Sequence, residues 1–479
     1  MACAVAAAIA LAGCGGSSHP GSDGPATTPK TPGGPTTTVP KGRPPQQLLA
    51  SDGKAGDNLG GAQAYDTFST PIKPVYYATP GEAAMSSAGA VAAIGAPGNA
   101  AGAKTGSGAV YVDAGSAGHW AQTAKLVAAD GAKYDALGWS VAISGDGHTI
   151  VAGAPFGDVG AAADEGTAYV FSDSGGRWAQ VAKLRGPDSA AYDGFGWSVA
   201  ISRDGARIVV GATGHDVLAV KDAGSAYVFN RGASATQWTA ARTLIARTPT
   251  ASAEFGGATA LSANGSIAAV TELTHFDSQH TLHSGSTSVF GTHDAWKTAQ
   301  TRAVFADPNR NKNGDTDAYG VNATFSDDGR VLAIAAPDVN VGAAKGAGAT
   351  YVYRTTGDWS APAQNTTLTL LPTNAAPFLY YGSSVALSAD GSELVIGVDG
   401  AGVDDQGAAE LVHLVPGQQP TAADRVTIAA PNSTKGRFGT AIAMDGDAHT
   451  AVGTSPWLKV GSADQRGAAY VIDLSATRA

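Results

Sequence analysis

Cysteine is nearly missing from these 479 residues: there are two, Cys3 and Cys14, both at the extreme N-terminus. A disulfide framework is thereby excluded for everything that follows them. Long apolar runs are scarce as well. The one candidate, MACAVAAAIALAGC over residues 1–14, is too short to span a bilayer. No stretch of useful length shows the 3.6-residue apolar period, so helical classes are excluded. Charged residues make up only 15%, and the formal net charge of −10 argues against nucleic acid or an anionic membrane surface as a partner. Enzyme signatures are absent too. There is no HExxH and no Gly-x-Ser-x-Gly, and Gly138-Trp-Ser-Val-Ala142 is only superficially similar to the latter because its Ser belongs to a strand.

Glycine, by contrast, is abundant at 64 residues, as short strands joined by many turns require. The stretch Asp193 to Phe229 shows the pattern. Gly196 to Ser202 alternates small or apolar with polar residues, the period-two signal of a half-buried strand. Arg203-Asp204-Gly205 is a tight turn, Ala206 to Ala212 a second strand, Gly224 to Phe229 a third, and Gln237 to Leu244 a fourth. One such meander cannot bury its own faces, and the chain repeats it. An aromatic-or-Leu plus Gly step recurs at Leu59-Gly60, Leu137-Gly138, Phe195-Gly196, Phe255-Gly256, Tyr319-Gly320, Tyr381-Gly382 and Phe438-Gly439. Third strands of the kind GAVYV (from Gly108), GTAYV (from Gly166) and GAAYV (from Gly467) accompany the steps. Seven four-stranded units predict an all-β, seven-bladed propeller.

Phe-Gly opening a unit, Gly95-Ala96-Pro97 or Gly153-Ala154-Pro155 closing its second strand, and Gly-x-Ala-Tyr-Val in its third resemble the FG-GAP repeat. That is the repeat of the integrin α-subunit propeller and of many secreted bacterial proteins. The resemblance spans about residues 46 to 475, and it implies a ligand-binding or adhesion role. Single copies decay: the third unit has Gly211-Ala212-Thr213, and the motif is lost around Val270-Thr271 and Gly397-Val398.

The chain divides into three parts. Residues 1–14 end in Leu11-Ala12-Gly13-Cys14, which resembles a bacterial lipobox with Cys14 as the lipidated residue, although the usual Lys/Arg start is missing. The plainer alternative is an Ala-rich unfolded start. Residues 15–45, rich in Gly, Ser, Pro and Thr, read as a tether, and residues 46–479 as the propeller. The expected setting is the cell envelope, outer membrane or cell surface, with the membrane reached only through the lipid. Leu48 to Gly60 aligns without gaps on Leu126 to Gly138, where an outer strand runs into the next unit, whereas the last unit stops after three strands. Gln46 to Leu49 is therefore expected to complete blade seven and close the ring.

Strand parity places the short turns, such as Gly145-Asp146-Gly147, on one face of the ring and the long loops on the other. On the loop face lies an insert from Gly61 to Pro80 carrying Tyr65, Tyr76 and Tyr77. These three, with Trp139 and Trp197, are candidates for contacting a protein or glycan ligand; the two tryptophans are expected to pack between blades, with an aromatic lip for glycan stacking as the alternative. Asp307, Asn309, Asn311, Asn313, Asp315 and Asp317 alternate as in an EF-hand-like loop and are candidate Ca2+ ligands, although no bidentate Glu follows; a polar turn is the alternative. Asp pairs at 52/57, 130/135 and 188/193 recur from unit to unit and are expected to cap backbone. His275, His280 and His283 read as a polar loop. The expected function is non-enzymatic adhesion or ligand binding, with an envelope scaffold and a glycan-active hydrolase as alternatives.

Overall fold

A meander of four short strands exposes two apolar faces, so it is stable only when blades cover one another. The computed structural model describes residues 44–61, 63–66, 73–76, 83–116, 118–273, 275–276, 282–283, 285–309, 317–362, 365–402, 404–429, 435–463 and 465–475. They form seven four-stranded antiparallel sheets and two small hairpins. The innermost strands are Ala83–Met85, Ser140–Ile143, Phe195–Ile201, Thr259–Leu261, Ala323–Phe325, Tyr381–Leu387 and Ile442–Met444. The chain is an all-β seven-bladed propeller, and a 3-10 turn at Ala422–Asp424 precedes the last strand of blade six.

Blade seven is closed as the N-terminal alignment predicts. Strand Gln46–Leu48 pairs with Ala468–Asp473, setting Gln46 opposite Val471 and Leu48 opposite Ala469. Gln46 also clamps blade one, donating from Nε2 to the Trp120 carbonyl (2.7 Å) and accepting at Oε1 from the Trp120 N–H (2.9 Å).

The contact between blades gives the repeat motif its physical meaning. A Cβ on Gly153 would lie 1.9 Å from the carbonyl oxygen of Gly196, and one on Gly211 2.1 Å from that of Gly256. The second-strand glycine is thus the site where the next blade's Phe-Gly backbone seats. A hydroxyl donates to that same carbonyl: Ser140 to Gly196 (2.9 Å), Ser198 to Gly256 (2.8 Å) and Ser384 to Gly439 (2.8 Å). In blades four and seven the pair is exchanged. Ala258 and Ala441 replace the serine, Thr271 and Thr454 replace the glycine, and the threonine hydroxyls reach Gly320 (2.8 Å) and Gly60 (2.7 Å). The motif lost at Thr271 is therefore a substitution that keeps the interblade hydrogen bond.

The recurring carboxylates are structural. Asp57, Asp135 and Asp193 accept the N–H groups of Lys54 (2.7 Å), Ala132 (2.7 Å) and Ala190 (2.8 Å). Their partners Asp52, Asp130 and Asp188 accept the third-strand hydroxyls of Tyr111 (2.5 Å), Tyr169 (2.9 Å) and Tyr227 (2.8 Å). Each pair fixes the crossing from one blade's outer strand to the next blade's inner strand.

The short-turn face is sealed by a backbone ring. Ser87 donates to the carbonyl of Gly145, Gly145 to Arg203, Arg203 to Ala263, Ala263 to Asp327, Asp327 to Ala389, Ala389 to Gly446, and Gly446 back to Ser87, all at 2.8–3.1 Å. One residue per blade contributes, and the circle closes. The Arg203 side chain lies across this ring, its Nη1 2.6 Å from Asp327 Oδ2 two blades away. Gly145 and Gly446 leave room for it: Cβ atoms there would sit 2.2 Å from Arg203 Cγ and 2.8 Å from Arg203 Nη2.

Candidate functional site

On the opposite face, the second-to-third-strand loops of blades one to three and five to seven bond along the segment that enters the next blade. Ala163, Asp164 and Glu165 carbonyls accept from Tyr192, Gly194 and Phe195, and Lys345, Gly346 and Ala347 do the same for Phe378, Tyr380 and Tyr381. This pairing holds non-glycine residues in left-handed conformations, among them Tyr134 (φ 71°), Tyr192 (φ 69°) and Phe378 (φ 61°). Such backbones cost on the order of 1 kcal/mol each and persist because the neighbouring loop bonds them in place. Two of these aromatic side chains face solvent, Tyr192 at 55% and Phe378 at 59% exposure.

The sequence candidates separate into groups. Trp139 is fully buried and Trp197 is 7% exposed. Their rings lie 5.1 Å apart, and Phe156 meets Trp139 edge-on at 5.1 Å. They pack between blades two and three, and an open aromatic lip at these positions is replaced by this interlocked trio. Tyr65 and Tyr76 fall on a two-stranded hairpin, Gln63–Asp66 with Lys73–Tyr76, while Tyr77 lies outside the described residues. A second hairpin pairs His275 with His283; His280 lies outside the described residues. Both hairpins leave from the loop face. Cys14 also lies outside the described residues.

Of the candidate calcium ligands, Asn311, Asn313 and Asp315 lie outside the described residues. The others have structural partners. Asp307 Oδ1 accepts the Asn309 N–H (2.8 Å), and Asn309 Nδ2 donates to the Tyr351 hydroxyl (2.8 Å), taking the place that Asp52, Asp130 and Asp188 hold in earlier blades. Asp317 is buried, and its carbonyl accepts from Asp338 (3.2 Å). Among the described residues no group of three or more His, Cys, Asp or Glu is arranged to hold a metal ion. Nor, among them, is any helix long and apolar enough to cross a membrane.

A constellation that sequence reading missed sits where blades five, six and seven meet. Arg437, just before Phe438-Gly439, lies over the rings of Tyr380 (5.5 Å) and Trp457 (5.6 Å). Its Nη1 is 3.9 Å from Asp399 Oδ2. Burial pushes the Asp399 carboxyl up to about 6 against the opposing pull of Arg437, with Asp405 adding to the rise. Asp338 is likewise pushed up to about 6 by burial and by the charge of Asp399. Asp338 and Trp457 each follow a second strand after one proline, Pro337 and Pro456, and Tyr380 and Arg437 directly precede the Tyr381-Gly382 and Phe438-Gly439 steps. Asp399 stands where Pro97 and Pro155 stand in other units, and that departure from the repeat was the available signal.

Seven four-stranded blades closed by an N-terminal strand define the β-propeller class. Within it, residues 120–171 and 178–229 match the FG-GAP repeat. No protein of curated function matches the chain. Among solved structures, Kuenenia stuttgartiensis Hydrazine Synthase is similar over 79% of this chain and 94% of that one, at 11% identity and a TM-score of 0.49, a likeness too faint to transfer any activity.

Proposed function

We propose that this chain is a non-catalytic ligand-binding or adhesion propeller working through its loop face. In this reading residues 15–45 tether it to a lipid on Cys14, on the outer membrane or cell surface. The observation that carries the loop-face assignment is the contrast between the two faces. The short-turn face is closed by a backbone ring plugged by Arg203. The loop face presents Arg437 between two aromatic rings, the buried Asp399 beside the partly exposed Asp338, and exposed Tyr192 and Phe378. Function in propellers resides in such loops. The test is an array of glycans and envelope proteins probed with the purified chain. Arg437→Ala should abolish captured signal and Arg203→Ala should leave it; the reverse pattern refutes the assignment.

A second reading, a glycan-active hydrolase, is favoured by one feature. Asp338 and Asp399 are carboxyls with raised proton affinity beside an arginine and a tyrosine, a combination suited to general acid–base work. Turnover of chromogenic glycosides that vanishes in both Asp338→Asn and Asp399→Asn would move the chain into that class.

A further inference from the structure

Asp399 is a buried carboxylate with an unsatisfied oxygen, and Asp173 Oδ1 is unsatisfied in the same way. Asp399 is 8% exposed, its Oδ1 is shielded from solvent and has no hydrogen-bond partner, and its Oδ2 has only Arg437 at 3.9 Å, beyond hydrogen-bond distance. Asp193 and Glu410 show the satisfied arrangement, the first bonded by Ala190 N–H and His215, the second by Tyr381 and Arg425. An unsatisfied buried acceptor costs free energy unless something else supplies the donor. Its position makes the cost avoidable, since the equivalent residue in blades one and two is proline (Pro97, Pro155), which has no polar side chain to bury.

We infer that Asp399, with Asp338, Arg437 and Trp457, forms a subsite for a hydroxyl of a neutral saccharide. This deepens the loop-face reading and rests on it. The missing element at Oδ1 is a hydrogen-bond donor rather than a charge. Arg437 already faces Asp399 and is held in place by the rings of Tyr380 and Trp457, so a second cation entering beside it meets like-charge repulsion. An anion meets two carboxylates. A neutral hydroxyl supplies the donor without either penalty, and a sugar ring brings apolar C–H faces suited to the indole edge of Trp457, which is partly exposed. Asp338, partly exposed and adjacent through its charge to Asp399, offers acceptors for a neighbouring hydroxyl.

The experiment uses the full chain against a panel of neutral gluco-, manno-, galacto- and xylo-oligosaccharides, with affinities of hits measured by titration calorimetry. Asp399→Pro restores the residue of other blades and so retains the fold; Asp399→Asn keeps the shape. Both variants should weaken saccharide binding by roughly ten- to a hundredfold, the loss of one charge-assisted hydrogen bond, and Trp457→Leu should weaken it through lost contact with the sugar ring. Melting temperature verifies that each is folded. Saccharide binding unchanged in the Asp399 variants but lost in Tyr192→Ala with Phe378→Ala overturns this subsite while leaving the loop-face reading standing. Binding lost only in Arg203→Ala overturns both. Capture of an Arg- or Lys-rich peptide in an Asp399-dependent manner overturns the saccharide class, and so does the absence of any saccharide hit for the folded wild type.

Discussion

Removing the strand Gln46–Leu48 should bring the propeller close to unfolding at room temperature, although it is three residues long. Leu48 is 4% exposed and packs in one cluster with Trp120, Ala469 and Val471, joining blade one to blade seven. Loss of its burial costs about 1.5–3 kcal/mol. Gln46 makes two side-chain bonds to the Trp120 backbone, and Gln47 Nε2 reaches the Tyr470 hydroxyl at 3.1 Å. At about 1 kcal/mol net for each hydrogen bond, these three add about 3 kcal/mol. The ladder to Ala468–Asp473 is lost too, and a sheet edge is exposed. The total is on the order of 5–8 kcal/mol against a typical domain stability of about 5–15 kcal/mol. Urea unfolding followed by tryptophan fluorescence measures it. Leu48→Ala alone should cost about 2–5 kcal/mol, and deletion of residues 21–39 close to nothing. Equal urea midpoints for the 46–48 and 21–39 deletions would falsify the closure argument.

Four further outcomes can be measured. Gly211→Thr should destabilise by several kcal/mol because its Cβ meets the Gly256 carbonyl oxygen at 2.1 Å and Ser198 Oγ at 2.5 Å; adding Ser198→Ala, the blade-four arrangement, should recover about 0.5–3 kcal/mol in a double-mutant cycle, and strict additivity would contradict the exchange. Asp113 has its carboxyl pushed up to about 6 by burial alone, above its unfolded value, so the folded state binds the extra proton and stability rises as pH falls from 7 toward 5; Asp113→Asn should stabilise at pH 7 by about 1 kcal/mol and flatten that slope, as thermal melts across pH will show. Asp307→Ala should lower the melting temperature equally in calcium and in chelator, since its described role is to hold the Asn309 turn; an effect confined to calcium would support the ion-binding reading. Cys14→Ser should release the protein from the membrane fraction or leave it unprocessed, and undiminished lipid labelling would refute the anchor.

What was legible in the sequence is what repeats. The Phe-Gly spacing located six inner strands and Gly95-Ala96-Pro97 the first, the parity of turns separated the faces, and the gapless match of Leu48–Gly60 to Leu126–Gly138 placed the closing strand beside Ala468–Asp473. The Asp pairs were readable for the same reason, since a role found in consecutive units is one that the fold itself requires. Pairwise compensation was not legible. A hydroxyl aimed at the next blade's glycine carbonyl can come from Ser198 on one strand or Thr271 on another, and only their placement across the blade shows that they serve the same bond. Packing of Trp139 and Trp197 between blades was readable, but nothing in the sequence shows that Phe156 closes over them. Asp338, Asp399 and Arg437 stand on three different blades, and their proximity depends on the ring.

The asymmetry of the ring argues for where selection for function acts. A propeller of identical units would present seven equal positions at each site around its axis. On the short-turn face the departure is Arg203 opposite Asp327, and it is compensated within the ring: the charges pair at 2.6 Å, and Gly145 and Gly446 yield the space. On the loop face the departure at Asp399 is uncompensated. It exchanges a proline for a carboxylate, buries it, and leaves one oxygen without a donor. Strain or unpaired polarity that the fold does not need persists where something outside the fold relieves it. The two faces differ in the same way at the backbone level. Every short turn is bonded to its neighbours, whereas left-handed Tyr192 and Phe378 direct aromatic side chains into solvent. Each burial term that the loop face lacks is one that a bound partner can supply, so binding there should raise stability as well as occupancy. Ligand-dependent melting of the wild type, absent in Asp399→Pro, would report both at once.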